Sequence, residues 1–208
     1  MVNPVNIQSW GIYHSLREAH AVAEYLNALR EHTVGHYFHS LRAGLLCVDL
    51  GHSRGLCSTD LAVVGNAGLL HDIGKKDISL ELLEKPGRLT GEEMKRVKWH
   101  VRLGYIALEG FENDDVRKVI VMHHEFKKEG YPRKGSDRRT RKREECERRN
   151  SDERICMLAQ ILAVSDIYDS LAHRRSYKPA LPEEEIKRIL GEEFTGDPSH
   201  IAEVLQRA

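Results

Sequence analysis

Three observations predict an all-α fold, a single helical bundle of about seven to eight helices. Apolar residues recur through most of the chain at the three- and four-residue spacing of one helix face. Alternating β-branched runs are few, and the sequence contains no Asn-Gly or Asp-Gly hairpin turn. Its 208 residues, 40% hydrophobic and 31% charged, suit one globular domain with a full core.

Capping residues mark where the predicted helices begin. Ser58 opens the third helix, and Thr90 with Glu93 forms a capping box at the start of the fourth. Asn113 caps the fifth, and Pro182 precedes the acidic first turn of the seventh. The predicted helices cover residues 15–30, 36–50, about 58–74, 90–109, about 113–126, about 152–172, a segment after 182, and a short segment after 198.

We expect one domain with two additions. Residues 1–35 are predicted to be an N-terminal helical extension, and residues 36–208 the main domain. A polar, basic insertion is predicted at about 134–151, where nine Lys or Arg face four Asp or Glu between Arg133 and Arg149. Such composition is typical of a solvated segment, and the alternative is an anion-attracting flap over a site.

Charge, hydropathy and cysteine usage exclude several classes of protein. The net charge is zero, so no nucleic-acid polymer is expected as a partner. No apolar run approaches the roughly 20 residues of a membrane span, and the N-terminus lacks a secretion signal. Cys47, Cys57, Cys146 and Cys156 form no C-x-x-C pair. We therefore expect a reduced, cytoplasmic setting without a membrane partner.

Several of the twelve histidines lie with aspartates on apolar helix faces, His39, His100 and His123 among them. Taken singly, such a residue is more often a hydrogen-bonded core side chain than a metal ligand. Taken together, these side chains need a shared counter-charge, and metal sites in helical proteins use such ligands. Because adjacent helix residues point about 100° apart, His71 and Asp72 share a site only at close range, as with a carboxylate between two ions.

Five motifs follow one another in a recognisable order. They are HDIGK at 71–75, LLEKPGRLTGEE at 82–93, HHE at 123–125, GYP at 130–132, and SDIYDSL at 165–171 followed by Arg175 and Tyr177. Together they resemble the motifs of the HD-GYP family, within the HD superfamily of metal-dependent phosphohydrolases. The resemblance covers residues 36–205 and implies an enzyme with an HD-type helical bundle.

The resemblance also implies a dinuclear metal site. The ligand positions it implies are His39, His71, Asp72, His100, His123, His124 and Asp166. His39 fits the first position because it precedes His71 by 71 − 39 = 32 residues, whereas His14, in the other copy of the HSLR repeat, does not. Gly35 stands where family members with a third ion have Glu. Two divalent transition ions are implied, iron or manganese first, with zinc or cobalt as alternatives.

Substrate contacts are implied in the same way. Asp72 and Lys75 are the implied catalytic residues, with Lys75 holding a phosphate oxygen or assisting the leaving group; its ordinary alternative is a helix-end lysine. Arg175 and Lys178 match phosphate-contacting positions, although either could be a surface charge. The full set of implied substrate-binding residues is Lys75, Arg175, Tyr177, Lys178, Gly130, Tyr131 and Pro132.

HD-GYP relatives hydrolyse cyclic di-GMP, so hydrolysis of a cyclic dinucleotide by metal-activated water is the first hypothesis. The chain departs from the family in its spacer at 126–129, one residue shorter, in the basic insertion, and at Gln160, where Arg is usual. One alternative is a phosphohydrolase of nucleotides or other small phosphoesters. Another is a non-catalytic signalling or interaction module. A signal would reach this chain through a homo-oligomer or a signalling partner.

Overall fold

The computed structural model describes residues 6–131, 153–173 and 181–207, and the described residues are predominantly helical. The all-α prediction is confirmed. A 3₁₀ helix covers Ile73–Asp77. The α-helices are α1 (Ile7–Glu18), α2 (His20–His32), α3 (Val34–Ser53), α4 (Ser58–Leu70), α5 (Leu80–Leu83), α6 (Gly91–Lys98), α7 (His100–Ala107), α8 (Asp114–Met122), α9 (Glu153–Ala172), α10 (Glu183–Glu193) and α11 (Ser199–Leu205).

Two of the predicted helices are each divided in the structure. The first is split into α1 and α2 at Ala19, whose extended backbone (φ −58°, ψ 129°) interrupts the helical hydrogen bonds. The fourth is split at Trp99 into α6 and α7. Its capping box is confirmed, since Thr90 N donates to Glu93 Oε2 at 2.8 Å and Glu93 N donates to Thr90 Oγ1 at 3.3 Å.

The third predicted helix is shorter than expected. It ends at Leu70 instead of near Gly74, so His71 and Asp72 occupy a junction and not the interior of a helix. His71 keeps helical dihedrals, and Asp72 (φ −97°, ψ 6°) begins the 3₁₀ helix. A Cβ at Gly74 would collide with backbone atoms of His100 and Gly104. The chain therefore leaves α4 and passes directly against α7.

The core forms around α3, α4 and α9. Gly44 of α3 and Gly68 of α4 let these helices approach closely, since a Cβ on Gly68 would lie 2.8 Å from the Gly44 Cα. Tyr13 and Leu26, from the first two helices, are buried in the same cluster. Thus α1 and α2 share the core of the domain. The division at residue 35 remains a prediction, and the basic insertion at 134–151 lies outside the described residues.

Helix α9 is apolar along its length and carries a set of core residues. Its length and composition would suffice to cross a membrane, but 72% of its most apolar stretch is buried inside the protein. Ile161, Leu162 and Val164 are completely buried. This burial is that of a central core helix, and it places Asp166 deep in the molecule.

We expect Gly74→Ala to lower the free energy of unfolding by about 3 kcal/mol, because its Cβ would meet fixed backbone and not a movable side chain. Gly191→Ala is the matched control. A Cβ there meets no atom within 4 Å, so alanine should stabilise α10 by about 0.5–1 kcal/mol. Urea denaturation measures both, and equal stability of the two variants would contradict the close approach at Gly74.

Candidate metal centre

The seven predicted metal ligands lie together in the interior. One comes from α3, two from the junction after α4, one from the first position of α7, two from the turn after α8, and one from α9. Each is at most 7% exposed. They are His39, His71, Asp72, His100, His123, His124 and Asp166.

Backbone carbonyl groups orient three of the imidazoles. In each, Nδ1 donates a hydrogen bond to the carbonyl oxygen three residues earlier, so Nε2 keeps its lone pair. The pairs are His71 with Gly68 (2.9 Å), His100 with Val97 (2.8 Å), and His123 with Ile120. This arrangement fixes the tautomer and leaves a free nitrogen for a ligand, as in metal-bound histidines.

Ring nitrogens face one another inside the cluster. His39 Nε2 lies 3.2 Å from His71 Nε2, and both atoms carry lone pairs because each Nδ1 donates to a carboxylate or carbonyl oxygen. His124 Nε2 lies 3.3 Å from the lone pair of His100 Nε2. The buried His123 Nε2 and His124 Nδ1 have no hydrogen-bond partner. Opposed acceptors in a buried space repel each other unless a proton or a cation lies between them. The imidazoles are therefore arranged to share a positive charge.

The carboxylate of Asp72 lies between two groups of imidazoles. Its Oδ2 is 3.5 Å from His71 Nε2 and 3.8 Å from His39 Nε2, whereas its Oδ1 is 3.5 Å from His100 Nε2. Each oxygen of this one side chain thus faces a different part of the cluster.

Three sets of donors are compact enough to hold a metal ion. They are His39, His71 and Asp166; His71, Asp72 and His123; and His100, His123 and His124, and the donor atoms of each set lie within 4.8 Å of one another. All are buried nitrogen or carboxylate oxygen donors, the ligands that divalent transition metals accept. The side chains present fit divalent metal binding.

Burial keeps the imidazoles neutral. It lowers the pKa of His100 to about 4, although Asp72 acts in the opposite direction. Burial, followed by the effect of neighbouring imidazoles and other charges, holds the pKa of His123 and of His124 well below the usual value. The neutral form is the one that binds a metal.

Two lysines balance the buried carboxylates. Burial opposes ionisation of Asp72, but the positive charge of Lys75 outweighs it and holds the pKa of Asp72 well below the usual value. Lys75 Nζ lies 2.6 Å from Asp72 Oδ2. In the same way, burial opposes ionisation of Asp166, while Lys127, with Nζ 2.9 Å from Asp166 Oδ2, lowers the pKa. Both carboxylates are thus charged and ready to act as ligands.

Lys127 was not predicted as a site residue. It belongs to the spacer that sets this chain apart from the family, and no charge pattern indicated that it faces inward. Backbone bonds hold the spacer against the segment after α10: Lys128 N donates to Glu193 O at 2.8 Å, and Thr195 N donates to Phe126 O at 2.9 Å. The shortened spacer therefore brings a cation to the cluster.

Asp169 was also missed. It is 1% exposed, and its Oδ2 accepts from His39 Nδ1 at 2.6 Å, which orients the imidazole. Arg42 donates to the same carboxylate at 2.6 and 3.0 Å. The position of Asp169, three residues after Asp166 on one helix, was an available signal, because such residues share a helix face.

The Gly-Tyr-Pro motif is described up to Tyr131. The Tyr131 ring stacks on His124, with centroids 4.4 Å apart and planes at 27°. A Cβ on Gly130 would lie 2.8 Å from the carbonyl oxygen of Glu125, so the turn requires glycine. Lys98 also contacts the Tyr131 ring, with its Nζ 4.8 Å from the ring centroid. Pro132, Arg175, Tyr177 and Lys178 lie outside the described residues.

Two residues that depart from the family pattern, Gln160 and Gly35, lie among the described residues. Gln160 does not face the cluster; its Oε1 accepts from Asp197 N at 2.7 Å and ties α9 to the segment before α11. Gly35 has open space around it, with no atom within 4 Å of an added Cβ. Neither residue contributes a donor to the metal centre.

A comparison with protein families shows which family this chain belongs to. Residues 37–171 match the family model described as HD domain. The chain belongs to the HD domain family. The predicted membership of the HD superfamily is confirmed, and the buried histidines and aspartates above are the polar centre of this HD domain.

Curated relatives share this domain. The chain is 30% identical over 158 residues to the 3'3'-cGAMP-specific phosphodiesterase 2 of Vibrio cholerae, covering 73% of this chain and 27% of the relative. It is 31% identical to a cyclic di-GMP phosphodiesterase of Thermotoga maritima, covering 80% of this chain and 43% of that one. The chain thus spans less than half the length of these relatives.

A solved structure supports the fold. The HD domain of the L. monocytogenes phosphodiesterase PgpH, in complex with cyclic-di-AMP, matches with a TM-score of 0.59 and 17% identity. The match covers 88% of this chain and 93% of the other. The helical arrangement around the HD domain centre is therefore shared with an experimentally determined structure.

We expect the metal-depleted protein to lose stability between pH 7 and pH 5. In the unfolded chain a histidine binds a proton with a pKa near 6.5, whereas the pKa of His100 in the folded protein is about 4. Because the unfolded chain then binds more protons, lowering the pH favours unfolding. Each such imidazole should lower the free energy of unfolding by on the order of 2 kcal/mol between pH 7 and pH 5. Urea denaturation with a chelator measures the loss. His20→Gln, at an exposed position, should leave it intact, and constant stability would contradict the buried neutral imidazoles.

Asp169→Asn should weaken metal binding about tenfold, because the charge that orients and polarises His39 is lost. Competition against a chelator measures the affinity, and circular dichroism verifies the fold. The matched control is Asp49→Asn, which removes another largely buried carboxylate, paired with Arg207 at 2.9 Å. Unchanged metal affinity in Asp169→Asn, or an equal loss in Asp49→Asn, would contradict this role.

Proposed function

We propose that this chain is a metal-dependent phosphodiesterase that hydrolyses cyclic dinucleotides, cyclic di-GMP first among them. The observation that carries the proposal is the two pairs of facing imidazole nitrogens, one near each oxygen of Asp72. They fit two divalent ions with a carboxylate between them. The curated relatives, named as phosphodiesterases of cyclic di-GMP and 3'3'-cGAMP, support the substrate class.

The ligands divide between two proposed ions. His39, His71 and Asp166 would hold one, and His100, His123 and His124 would hold the other, with one oxygen of Asp72 facing each group. When bound, two such ions would supply a nucleophile from water at neutral pH and would stabilise negative charge on a phosphoryl group. Iron or manganese is proposed for these nitrogen-rich positions, with zinc or cobalt as alternatives.

Lys75 and Lys127 would position the phosphodiester. Each ammonium group pairs with a ligand carboxylate, and their side chains are 11% and 24% exposed at the edge of the cluster. Each has further hydrogen bonds to donate to a phosphate oxygen while its carboxylate keeps it in place. We assign Lys75 to catalysis and Lys127 to binding.

Tyr131 would close one side of the centre. Its ring lies against His124, which excludes water from that imidazole. Burial raises the pKa of the Tyr131 phenol, so the hydroxyl stays protonated and can donate to a phosphate oxygen without adding negative charge. The roles proposed for Pro132, Arg175, Tyr177 and Lys178 rest on the family resemblance, as does an oligomeric or signalling partner. A cytoplasmic location is proposed from the cysteine usage alone.

Asp72→Asn should lower kcat for cyclic di-GMP at least about 100-fold, because it weakens both ligand groups at once. Elemental analysis of protein purified without chelators should find two transition ions per chain in the unsubstituted protein and fewer in the variant. Asp49→Asn, at a carboxylate away from the cluster, should keep both the metal content and the rate.

A substrate panel tests the class of substrate. Cyclic di-GMP, 3'3'-cGAMP, a linear dinucleotide and mononucleotides should be assayed with metal-loaded protein. Turnover of mononucleotides alone would replace the proposal by a nucleotide phosphohydrolase. Absence of both metal and turnover would leave a non-catalytic HD module.

A further inference from the structure

A cavity lies beside the metal centre. It has a volume of about 460 Å³, within the usual range for small-molecule sites. Its walls come from α3, the 3₁₀ helix, and the segment from α5 through α6. Leu82, Leu83, Leu89, Met94 and Val97 form its apolar surface.

This cavity adjoins the metal centre through two side chains. Lys75 lines it and also contacts Asp72 at 2.6 Å. His36 lines it as well, one helical turn before His39. A molecule held at the metal centre and extending past Lys75 would therefore enter the cavity.

The polar lining is cationic. Lys75, Lys85 and Arg88 supply the positive charge, His36 adds an imidazole, and none of the described lining residues is acidic. Lys85 is neutralised by Glu93, with Nζ–Oε distances of 2.7 and 2.9 Å. Arg88 is exposed and has no ion-pair partner among the residues that the structure describes. An unneutralised guanidinium beside an apolar surface is suited to an anion attached to a flat, apolar group.

We propose that this cavity is the subsite for the second nucleotide of a dinucleotide substrate. The base lies among Leu89, Met94 and Val97, and Arg88 binds the phosphate that is not cleaved. The inference rests on the proposed phosphodiesterase function and deepens it. It gives a reason for preferring two linked nucleotides, because a mononucleotide bound at the metal centre leaves the cavity unfilled.

Two variants test the subsite by the ratio of kcat/KM for cyclic di-GMP to that for bis(4-nitrophenyl) phosphate, which lacks a second nucleotide. Arg88→Ala removes the proposed phosphate contact, and Met94→Glu places a negative charge in the cavity. Both residues are exposed, so folding should survive. Each variant should lower the ratio about tenfold: Arg88→Ala loses one charge-assisted hydrogen bond, and Met94→Glu adds repulsion of an anionic substrate. Arg96→Ala, on the exposed side of α6 and outside the lining, should not change it.

A binding measurement decides the subsite independently of turnover. The probe is linear 5'-phosphorylated diguanylate with a phosphorothioate linkage, compared with GMP by calorimetry. The unsubstituted protein should bind the dinucleotide about tenfold more tightly than GMP, and Arg88→Ala should remove most of that preference. Equal affinity for the two probes, or an equal loss in Arg96→Ala, overturns the subsite. Absence of hydrolysis with the preference retained overturns only the proposed function.

Discussion

The structure depends on the electrostatic cost of burying charge. Asp72 and Asp166 are 2% and 5% exposed, and a carboxylate at such depth is unfavourable without nearby positive charge. Imidazoles alone cannot supply that charge, because burial keeps several of them neutral. Lys75 and Lys127 supply part of it from the edge. The remaining positive charge that the buried carboxylates need would come from bound cations. The helices are arranged so that the ligands for these cations lie together.

The ends of three helices position imidazoles of the metal centre. The last carbonyl groups of a helix lack partners within it. Here His71 donates to such a carbonyl at the end of α4, His100 to one at the end of α6, and His123 to one at the end of α8. Each contact gives a carbonyl oxygen at a helix end a side-chain donor and orients an imidazole at the same time. The break at Trp99 is one of these ends, which explains why the helix predicted over 90–109 is interrupted.

The ligand set could be predicted from the sequence because its spacing matches a known pattern and its members share apolar helix faces. Asp169 and Lys127 were not predicted, for different reasons. Asp169 acts through His39, so no ligand pattern includes it. Lys127 faces inward because the spacer is bound to the segment after α10, a contact between distant parts of the chain. The end of α4 was misplaced because the close approach of Gly74 to α7 is tertiary and has no local signal.

The ligands are spread widely along the chain, and this has a consequence for biosynthesis. His39 and Asp166 lie 127 positions apart, yet their side chains meet at 3.1 Å. Contacts of such long range form late, after loop-closure entropy has been overcome. A nascent chain that has not yet emerged through α9 has no complete set of donors. Metal uptake at the full donor set should therefore follow the emergence of α9, and bound metal would report that the helices carrying the ligands have assembled.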